Sequence, residues 1–299
     1  MVTGKEVVPE TGPVILVANH PNTFMDPLLI ASITKQRIGF VANAGIFANK
    51  LLTLIFRYFH VIPIFRKQDI PAGEKPDNKK AFLKCHEYLS AAGSLLIFPE
   101  GTSYYELKLR EIKTGTARIA LSYEDLKEFQ GNLKIVPIAL DYMDSIQFRS
   151  VVSITVCPAL EVGNYKSMFE SNEYDAVNQL TEDIRLSLAD IIPQTSGKDQ
   201  EKFLVKAHQF YGTFAPEAKA VQQTTKLSLQ MRNQVSKALH FIQQNNVDLY
   251  QRTEAKLLHF FKVLNDEGIT PQIVSRDLKR RQRFLFFMSY GLQFLILFP

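Results

Sequence analysis

Short apolar runs alternate with helically periodic stretches along the first two thirds of the chain. Each apolar run is bounded by polar or turn-forming residues, which is typical of a buried strand. These runs predict strands near residues 14–18, 38–42, 61–65, 94–98, 134–140 and 151–156. The periodic stretches predict helices near residues 27–34, 46–59, 78–91, 114–122 and 174–190. This alternation indicates an α/β fold in which helices cover a mixed, largely parallel sheet.

The pattern changes from about residue 200, where long amphipathic helices rich in polar residues replace the alternation. Two of these helices are predicted at Leu227–Asn245 and Leu249–Asp266, and a Glu-Gly pair closes the second. The sequence therefore predicts a first domain over residues 1–198 and a C-terminal helical domain over residues 199–283.

The last stretch, residues 284–299, is apolar and follows a basic cluster that runs from Arg276 to Arg283. A helix of fifteen residues would span about 22 Å, less than the ~30 Å of a hydrocarbon core. We therefore predict a membrane anchor or the start of a transmembrane segment.

Because the apolar run stops at Pro299, we expect the chain to be a fragment. The basic cluster favours the cytoplasmic side for the first domain, and no secretory signal follows Met1.

The first candidate for chemistry is the loop after the first strong strand, which carries His20 and Asp26 before Pro27. A carboxylate that accepts from one imidazole nitrogen leaves the other nitrogen free to take a proton. No Gly-x-Ser-x-Gly elbow occurs in the sequence, so a substrate hydroxyl could replace the protein nucleophile. The alternative is that Asp26 is the N-cap of a helix that starts at Pro27, and both roles can hold together.

A second apolar strand, residues 95–98, also runs into a polar turn, and this turn carries Glu100, Gly101 and Thr102. In an open α/β sheet, ligands bind where the carboxyl ends of the strands open into loops. We expect the two loops to share one cleft if their strands are neighbours.

These residues resemble the PlsC-type glycerophosphate and lysophospholipid acyltransferases. The segment Asn19 to Asp26 is similar to their first motif, and Phe98–Thr102 reads as their Phe-Pro-Glu-Gly-Thr motif. Val61–Arg66 resembles a second motif that ends in a basic residue, and Val136–Ile138 resembles a late Val-Pro-Ile. The four segments follow the order of the family across the first half of the chain.

The resemblance implies a glycerol-3-phosphate acyltransferase-like fold and a set of site residues. His20 is then the general base and Asp26 its orienting carboxylate, with Glu100 and Gly101 as acceptor contacts. Arg66 is the first candidate for the phosphate contact and Lys113 the second. Asn19 and Thr102, which lie inside the matching motifs, complete the predicted substrate-binding set.

The sequence also departs from the family pattern. Five residues separate His20 from Asp26, where many members have four, and this spacing resembles the glycerol-3-phosphate and dihydroxyacetone-phosphate acyltransferases. Ser103 stands where many members carry Arg, and Asn43 lies near where some carry Lys. Phosphate binding is therefore expected to depend on other cations.

The implied reaction is phospholipid-biosynthesis acyl transfer from an acyl-CoA or acyl carrier protein thioester to glycerol-3-phosphate or 1-acyl-glycerol-3-phosphate. The thioester is already activated, so we expect neither a metal nor a cofactor. Alternatives are a different lipid or amine acceptor, hydrolysis with water as acceptor, and a non-catalytic lipid-binding protein. The choice between the sn-1 and sn-2 hydroxyls stays open.

The composition narrows the classes of partner that we expect for this protein. The chain has 299 residues, 46% of them hydrophobic, which is enough for a sizeable core. A net charge of +5 suits an anionic membrane surface, a phosphorylated substrate or an acyl carrier protein. The sequence carries no recognised nucleic-acid motif, so no nucleic-acid partner is expected. Cys85 and Cys157 lie in apolar contexts and are predicted to be buried, reduced thiols.

Overall fold

The chain divides into two compact units in a computed structural model. The first covers Met1–Tyr105 and Leu109–Ile192, and the second covers Glu106–Lys108 and Pro193–Pro299. The division into three domains predicted from the sequence stays a prediction. The structure describes residues 2–48, 53–54, 56, 58–66, 69, 77–104, 108–142, 152–192, 194–195, 197–214, 225–271 and 273–274.

One sheet of eight described strands runs through the first unit: β1 (Val2–Thr3), β2 (Val14–Ala18), β3 (Ile38–Asn43), β4 (Val61–Ile64), β5 (Ser94–Ile97), β6 (Lys134–Tyr142), β7 (Val152–Val156) and β8 (Leu160–Glu161). Their spatial order is β1-β7-β6-β2-β5-β3-β4, with β8 beside β6. All neighbours are parallel except β6 with β7 and β6 with β8. The predicted mixed, largely parallel sheet is thus confirmed.

Helices lie on both sides of this sheet. They are α1 (Met25–Ala31), α2 (Lys79–Ser90), α3 (Gly115–Leu126), α4 (Lys166–Ser171) and α5 (Glu173–Ala189), and short 3-10 turns cover Lys5–Val7, Ala44–Ala48 and Val162–Tyr165. All six predicted strands are confirmed to within two residues at each end. The helix predicted near residues 46–59 lies partly outside the described residues.

The residues of strand β2 are shared between two apolar clusters, one on each face of the sheet. All five of its residues are buried, because alternate side chains point to opposite faces and both faces are covered. Ile15 and Val17 pack in one apolar cluster with residues of α2, α3 and α5. Val14, Leu16 and Ala18 pack in the other with residues of α1. A strand held in this way fixes the position of the loop that follows it.

The described residues of the second unit form three helices that pack on one another: α6 (Lys198–Phe214), α7 (Thr225–Asn245) and α8 (Val247–Asp266). The helices predicted at Leu227–Asn245 and Leu249–Asp266 are confirmed. Their common core is aromatic and aliphatic, with Phe203, Phe210, Phe214, Leu239, Ile242, Leu257 and Phe260 among its buried members.

No helix within the described residues is long and apolar enough to cross a membrane. The predicted anchor at residues 284–299 lies outside the part of the chain that the structure describes.

The two cysteines are buried and free, as the sequence predicted. Burial raises the pKa of the Cys85 thiol to about 12 and that of the Cys157 thiol to about 11. Thiols of this kind stay protonated and act as small apolar side chains.

Candidate active site

The motifs meet at one edge of the sheet because their strands are parallel neighbours. Strand β2 lies between β5 and β6, with Val17 opposite both Ile97 and Pro137. The loop that carries His20 therefore leaves the sheet beside the turn that begins at Phe98. The predicted shared cleft is consistent with this placement, which is where α/β sheets bind ligands.

Hydrogen bonds tie these two loops together through the backbone of His20. Its N–H donates to Glu100 Oε1 at 3.3 Å. Its carbonyl oxygen accepts from Ser103 Oγ at 2.9 Å and from the Tyr104 N–H at 3.1 Å. The imidazole stacks on the Phe98 ring, with 3.9 Å between the ring centroids and 12° between the planes. Three hydrogen bonds thus fix the backbone of His20, and the stacking on Phe98 orients its imidazole.

Asp26 holds the imidazole from the other side. His20 Nδ1 lies 2.8 Å from Asp26 Oδ2, and the Asp26 side chain is fully buried. The same oxygen accepts from the Asn22 N–H at 2.7 Å, and Oδ1 accepts from the Tyr142 hydroxyl at 2.6 Å. A buried carboxylate with these donors is an acceptor, which assigns the proton to Nδ1 and the lone pair to Nε2.

The N-cap alternative for Asp26 is wrong. Helix α1 begins at Met25, and its N-cap is Phe24, without a side-chain cap. Asp26 therefore lies within the first turn, where a negative charge interacts well with the helix dipole. Its side chain bonds to His20, Asn22 and Tyr142 instead of capping the helix.

Glu100 accepts hydrogen bonds from two backbone N–H groups of the site, those of His20 and Arg110. Its second carboxylate oxygen, Oε2, accepts from the Arg110 N–H at 3.2 Å. Burial raises the pKa of Glu100, and the hydrogen bonds from the Arg110 and His20 N–H groups partly offset that rise. Gly101 follows with φ of 75°, in the left-handed region that favours glycine. The carboxylate and the glycine together shape the turn beside His20.

Arg66 reaches this turn from the carboxyl end of β4. Its Nη1 donates to the Gly101 carbonyl at 2.5 Å and to Thr102 Oγ1 at 2.9 Å. Its Nε and Nη2 donate to the two carboxylate oxygens of Asp69, each at 2.8 Å. This bidentate pair raises the pKa of Arg66 and lowers that of Asp69. The structure therefore places Arg66 beside the turn at Gly101 and Thr102, with its guanidinium paired to the Asp69 carboxylate. Its contact with phosphate stays a prediction.

Two other predicted residues have contacts that the sequence did not indicate. Asn19 Nδ2 donates to the Leu140 carbonyl at 2.9 Å, and its Oδ1 accepts from the Leu140 N–H at 2.8 Å. Asn19 thus ties the His20 loop to β6. Lys113 extends into solvent, 62% exposed, and pairs with Glu111 at 3.2 Å. Roles for either side chain in substrate binding stay predictions.

The sequence reasoning missed Tyr142. The strand that carries it was predicted to end at residue 140, but β6 continues to Tyr142. Val136, Ile138, Leu140 and Tyr142 are alternate residues that pack in the same cluster as Val14, Leu16 and Ala18 of β2. The alternation of apolar residues beyond Ile138 was the available signal.

An exposed apolar surface lies directly beside the dyad. Phe24, Met25 and Leu28 lie at the start of α1 and are 80%, 45% and 64% exposed. Phe24 and Leu28 are four residues apart and share one helix face. We refer to these three residues as the α1 apolar patch.

Residues 1–141 match the family model described as Acyltransferase. The chain is 28% identical over 139 residues to glycerol-3-phosphate O-acyltransferase 2 of Saccharomyces cerevisiae. The matched region covers 46% of this chain and 19% of that protein. The chain is 31% identical over 136 residues to glycerol-3-phosphate O-acyltransferase 1 of the same yeast, covering 44% and 17%. The chain thus spans less than a fifth of the length of either yeast protein.

Among solved structures, the chain is similar to the 1-acyl-sn-glycerophosphate (LPA) acyltransferase PlsC from Thermotoga maritima. The TM-score is 0.42 at 18% identity, over 62% of this chain and 71% of that chain. The segment that matches the Acyltransferase model, residues 1–141, contains both His20 and Asp26.

Proposed function

We propose that this protein is an O-acyltransferase of phospholipid biosynthesis that uses His20 as a general base. The donor is an acyl thioester of coenzyme A or acyl carrier protein, and the acceptor is a hydroxyl of glycerol-3-phosphate or 1-acyl-glycerol-3-phosphate. The observation that carries this proposal is the bond between His20 Nδ1 and the fully buried Asp26. It leaves Nε2 as the acceptor for a hydroxyl proton, within the segment that matches the Acyltransferase family model.

The proposed reaction needs one base and an activated donor. His20 Nε2 takes the proton of the acceptor hydroxyl while the hydroxyl oxygen attacks the thioester carbonyl carbon. A C–O bond forms, the C–S bond breaks, and the imidazolium returns its proton to the departing thiolate. Asp26 stabilises the imidazolium while it exists. Such acid–base catalysis contributes about 10²–10⁴-fold, and positioning supplies much of the rest without a cofactor.

The acceptor phosphate is proposed to bind Arg66. A guanidinium grips phosphate and carboxylate with the same fork geometry, and Arg66 holds the Asp69 carboxylate in that geometry. Asp69 would therefore compete with the phosphate for the two donors Nε and Nη2. Nη1 would stay on the turn at Gly101 and Thr102.

This competition predicts opposite effects of two substitutions on the KM for glycerol-3-phosphate. Asp69→Ala should lower that KM several-fold, because the phosphate no longer displaces a carboxylate. Arg66→Lys should raise it about tenfold or more, because one charge-assisted hydrogen bond is worth about 1.5–3 kcal/mol. Steady-state kinetics at a saturating thioester concentration measures both values. An unchanged KM in both variants would remove Arg66 from the acceptor site.

The catalytic unit is proposed to work at the surface of a membrane, with its active site on the cytoplasmic side. The α1 apolar patch supports the contact with a membrane surface, since Phe24 is 80% exposed in the turn before α1 and Leu28 follows on the same face. Burial of such side chains in lipid is worth about 1.5–3 kcal/mol each. The net charge of +5 adds attraction to anionic lipid.

A tryptophan reporter tests this placement directly, because the chain contains no tryptophan. Phe24→Trp should shift its emission to the blue on vesicles that contain phosphatidylglycerol, and brominated lipid should quench most of that emission. Leu126→Trp is the matched control, since Leu126 is 64% exposed at the end of α3. Equal quenching of both reporters, or of neither, would contradict docking through the α1 apolar patch.

Analysis of the lipid products tests the proposed activity and its acceptor. The purified protein in detergent receives palmitoyl-CoA or palmitoyl-acyl carrier protein, each with glycerol-3-phosphate, 1-acyl-glycerol-3-phosphate or no acceptor. Mass spectrometry should detect a new acyl ester on one of the two phosphates. Free fatty acid without an ester product would indicate hydrolysis instead. A folded protein that binds lipid and forms no product with coenzyme A or acyl carrier protein donors would contradict the proposal.

A further inference from the structure

Tyr142 contacts the carboxylate of the dyad from β6. Its hydroxyl donates to Asp26 Oδ1 at 2.6 Å, and the residue is only 8% exposed. Burial and the neighbouring Asp26 raise the pKa of Tyr142 far above its usual range. The phenol is therefore a neutral hydrogen-bond donor at every pH at which the protein would be assayed.

The three donors to Asp26 divide between its two oxygens. Oδ2 accepts from His20 Nδ1 and from the Asn22 N–H, both within the loop that carries the dyad. Oδ1 accepts from Tyr142, which lies on the neighbouring strand. This bond joins Asp26 to the sheet and fixes the plane of its carboxylate. The carboxylate in turn orients the His20 ring.

Strand β6 is itself held in register with the loop. The Asn19 carboxamide bonds to both the N–H and the carbonyl of Leu140, two residues before Tyr142. Ala18 lies opposite Ile138 in the parallel pair of β2 and β6. The sheet therefore sets the position of the phenol, and the hydrogen bond from the phenol fixes the position of Asp26.

We propose that Tyr142 is a positioning residue that holds Asp26, and through it His20, in the geometry for proton transfer. This inference rests on the proposed function. In this role Tyr142 acts through Asp26 and not on either substrate, so its loss should change kcat and leave both KM values close to wild type. We expect kcat of Tyr142→Phe to fall about tenfold or more.

Tyr165 offers a matched control in the same unit. Its hydroxyl donates to Asp183 Oδ2, so Tyr165→Phe removes the same type of bond elsewhere. Both substitutions should lower Tm, since each leaves a carboxylate with one donor fewer, and Tyr142→Phe should lower it more because Asp26 is fully buried. Tyr142→Phe alone should lower kcat, whereas Tyr165→Phe should keep the wild-type kcat.

Proton NMR of the His20 Nδ1–H supplies a second readout that needs no activity. This proton is bonded to Asp26, so its resonance should move or broaden in Tyr142→Phe and stay in place in Tyr165→Phe. Fluorotyrosine at position 142 keeps the packing and should move the resonance by a smaller step. Wild-type kcat together with an unmoved resonance in Tyr142→Phe would overturn the inference. Absence of acyl transfer by the wild type would instead defeat the proposed function, and the resonance would still test the positioning.

Discussion

His20→Ala is expected to lower acyl transfer by about 10²–10⁴-fold, the usual contribution of general acid–base catalysis, while the protein stays folded. The backbone bonds of residue 20 to Glu100, Ser103 and Tyr104 do not involve the imidazole. Asp26 also keeps two of its donors, the Asn22 N–H and the Tyr142 hydroxyl. Turnover of palmitoyl-CoA at saturating acceptor measures the loss, and thermal unfolding checks the fold.

His240→Ala is the control for this substitution. His240 is an exposed residue of α7, and its imidazole bonds to Gln244 one turn along the same helix. This variant should keep the wild-type rate. Full activity in a folded His20→Ala protein would end the proposed mechanism.

Asp26→Asn is expected to lower both turnover and stability. A carboxamide offers one acceptor oxygen and an NH₂ group, where the carboxylate accepts three hydrogen bonds. At least one buried donor then loses its acceptor, which costs about 1–3 kcal/mol in the free energy of unfolding. If the NH₂ group faces His20, the imidazole adopts the wrong tautomer, and kcat should fall by about 10²–10⁴-fold.

The matched control is Asp183→Asn on α5. Asp183 accepts from the Tyr165 hydroxyl and from Gln179 Nε2, so this change also replaces a carboxylate that binds a tyrosine. Chemical unfolding and steady-state kinetics should separate the two variants, with a loss of stability in both and a large loss of kcat in Asp26→Asn alone. Equal kcat values in the two variants would show that Asp26 does not orient the base.

Much of the fold could be predicted because buried strands leave a local signal. Strand β2 is a run of five apolar residues between polar neighbours, and its predicted and observed bounds are identical. The short strands β1 and β8 contain two residues each and depend on pairing with β7 and β6. A two-residue run has no period, so such strands cannot be found from local pattern.

The dyad could be predicted because His20 and Asp26 lie only six positions apart in the chain, in the loop after β2 and in the first turn of α1. The capping role assigned to Asp26 failed because the helix starts at Met25, before the Asp-Pro pair that suggested its N-terminus. The contacts of Asp26 with Tyr142 and of Asn19 with Leu140 span more than one hundred residues. The order of the strands creates these contacts, and no local pattern contains that order.

The neighbourhood of Arg66 illustrates the same limit. Its position after β4 was predicted from a motif, and β3 alone separates β4 from β5 in the sheet. That order brings the guanidinium to Gly101 and Thr102, 35 and 36 positions along the chain. The bond to Asp69 was not predicted, because an acidic residue three positions away in a polar stretch is usually solvated.

The most direct test of the central claim is thiol release from palmitoyl-CoA, measured with and without glycerol-3-phosphate or 1-acyl-glycerol-3-phosphate, in the wild type and in His20→Ala. The account predicts release that one of the two phosphates stimulates in the wild type and that His20→Ala abolishes. Release at the same rate with and without acceptor, or stimulated release that survives in a folded His20→Ala protein, would contradict it.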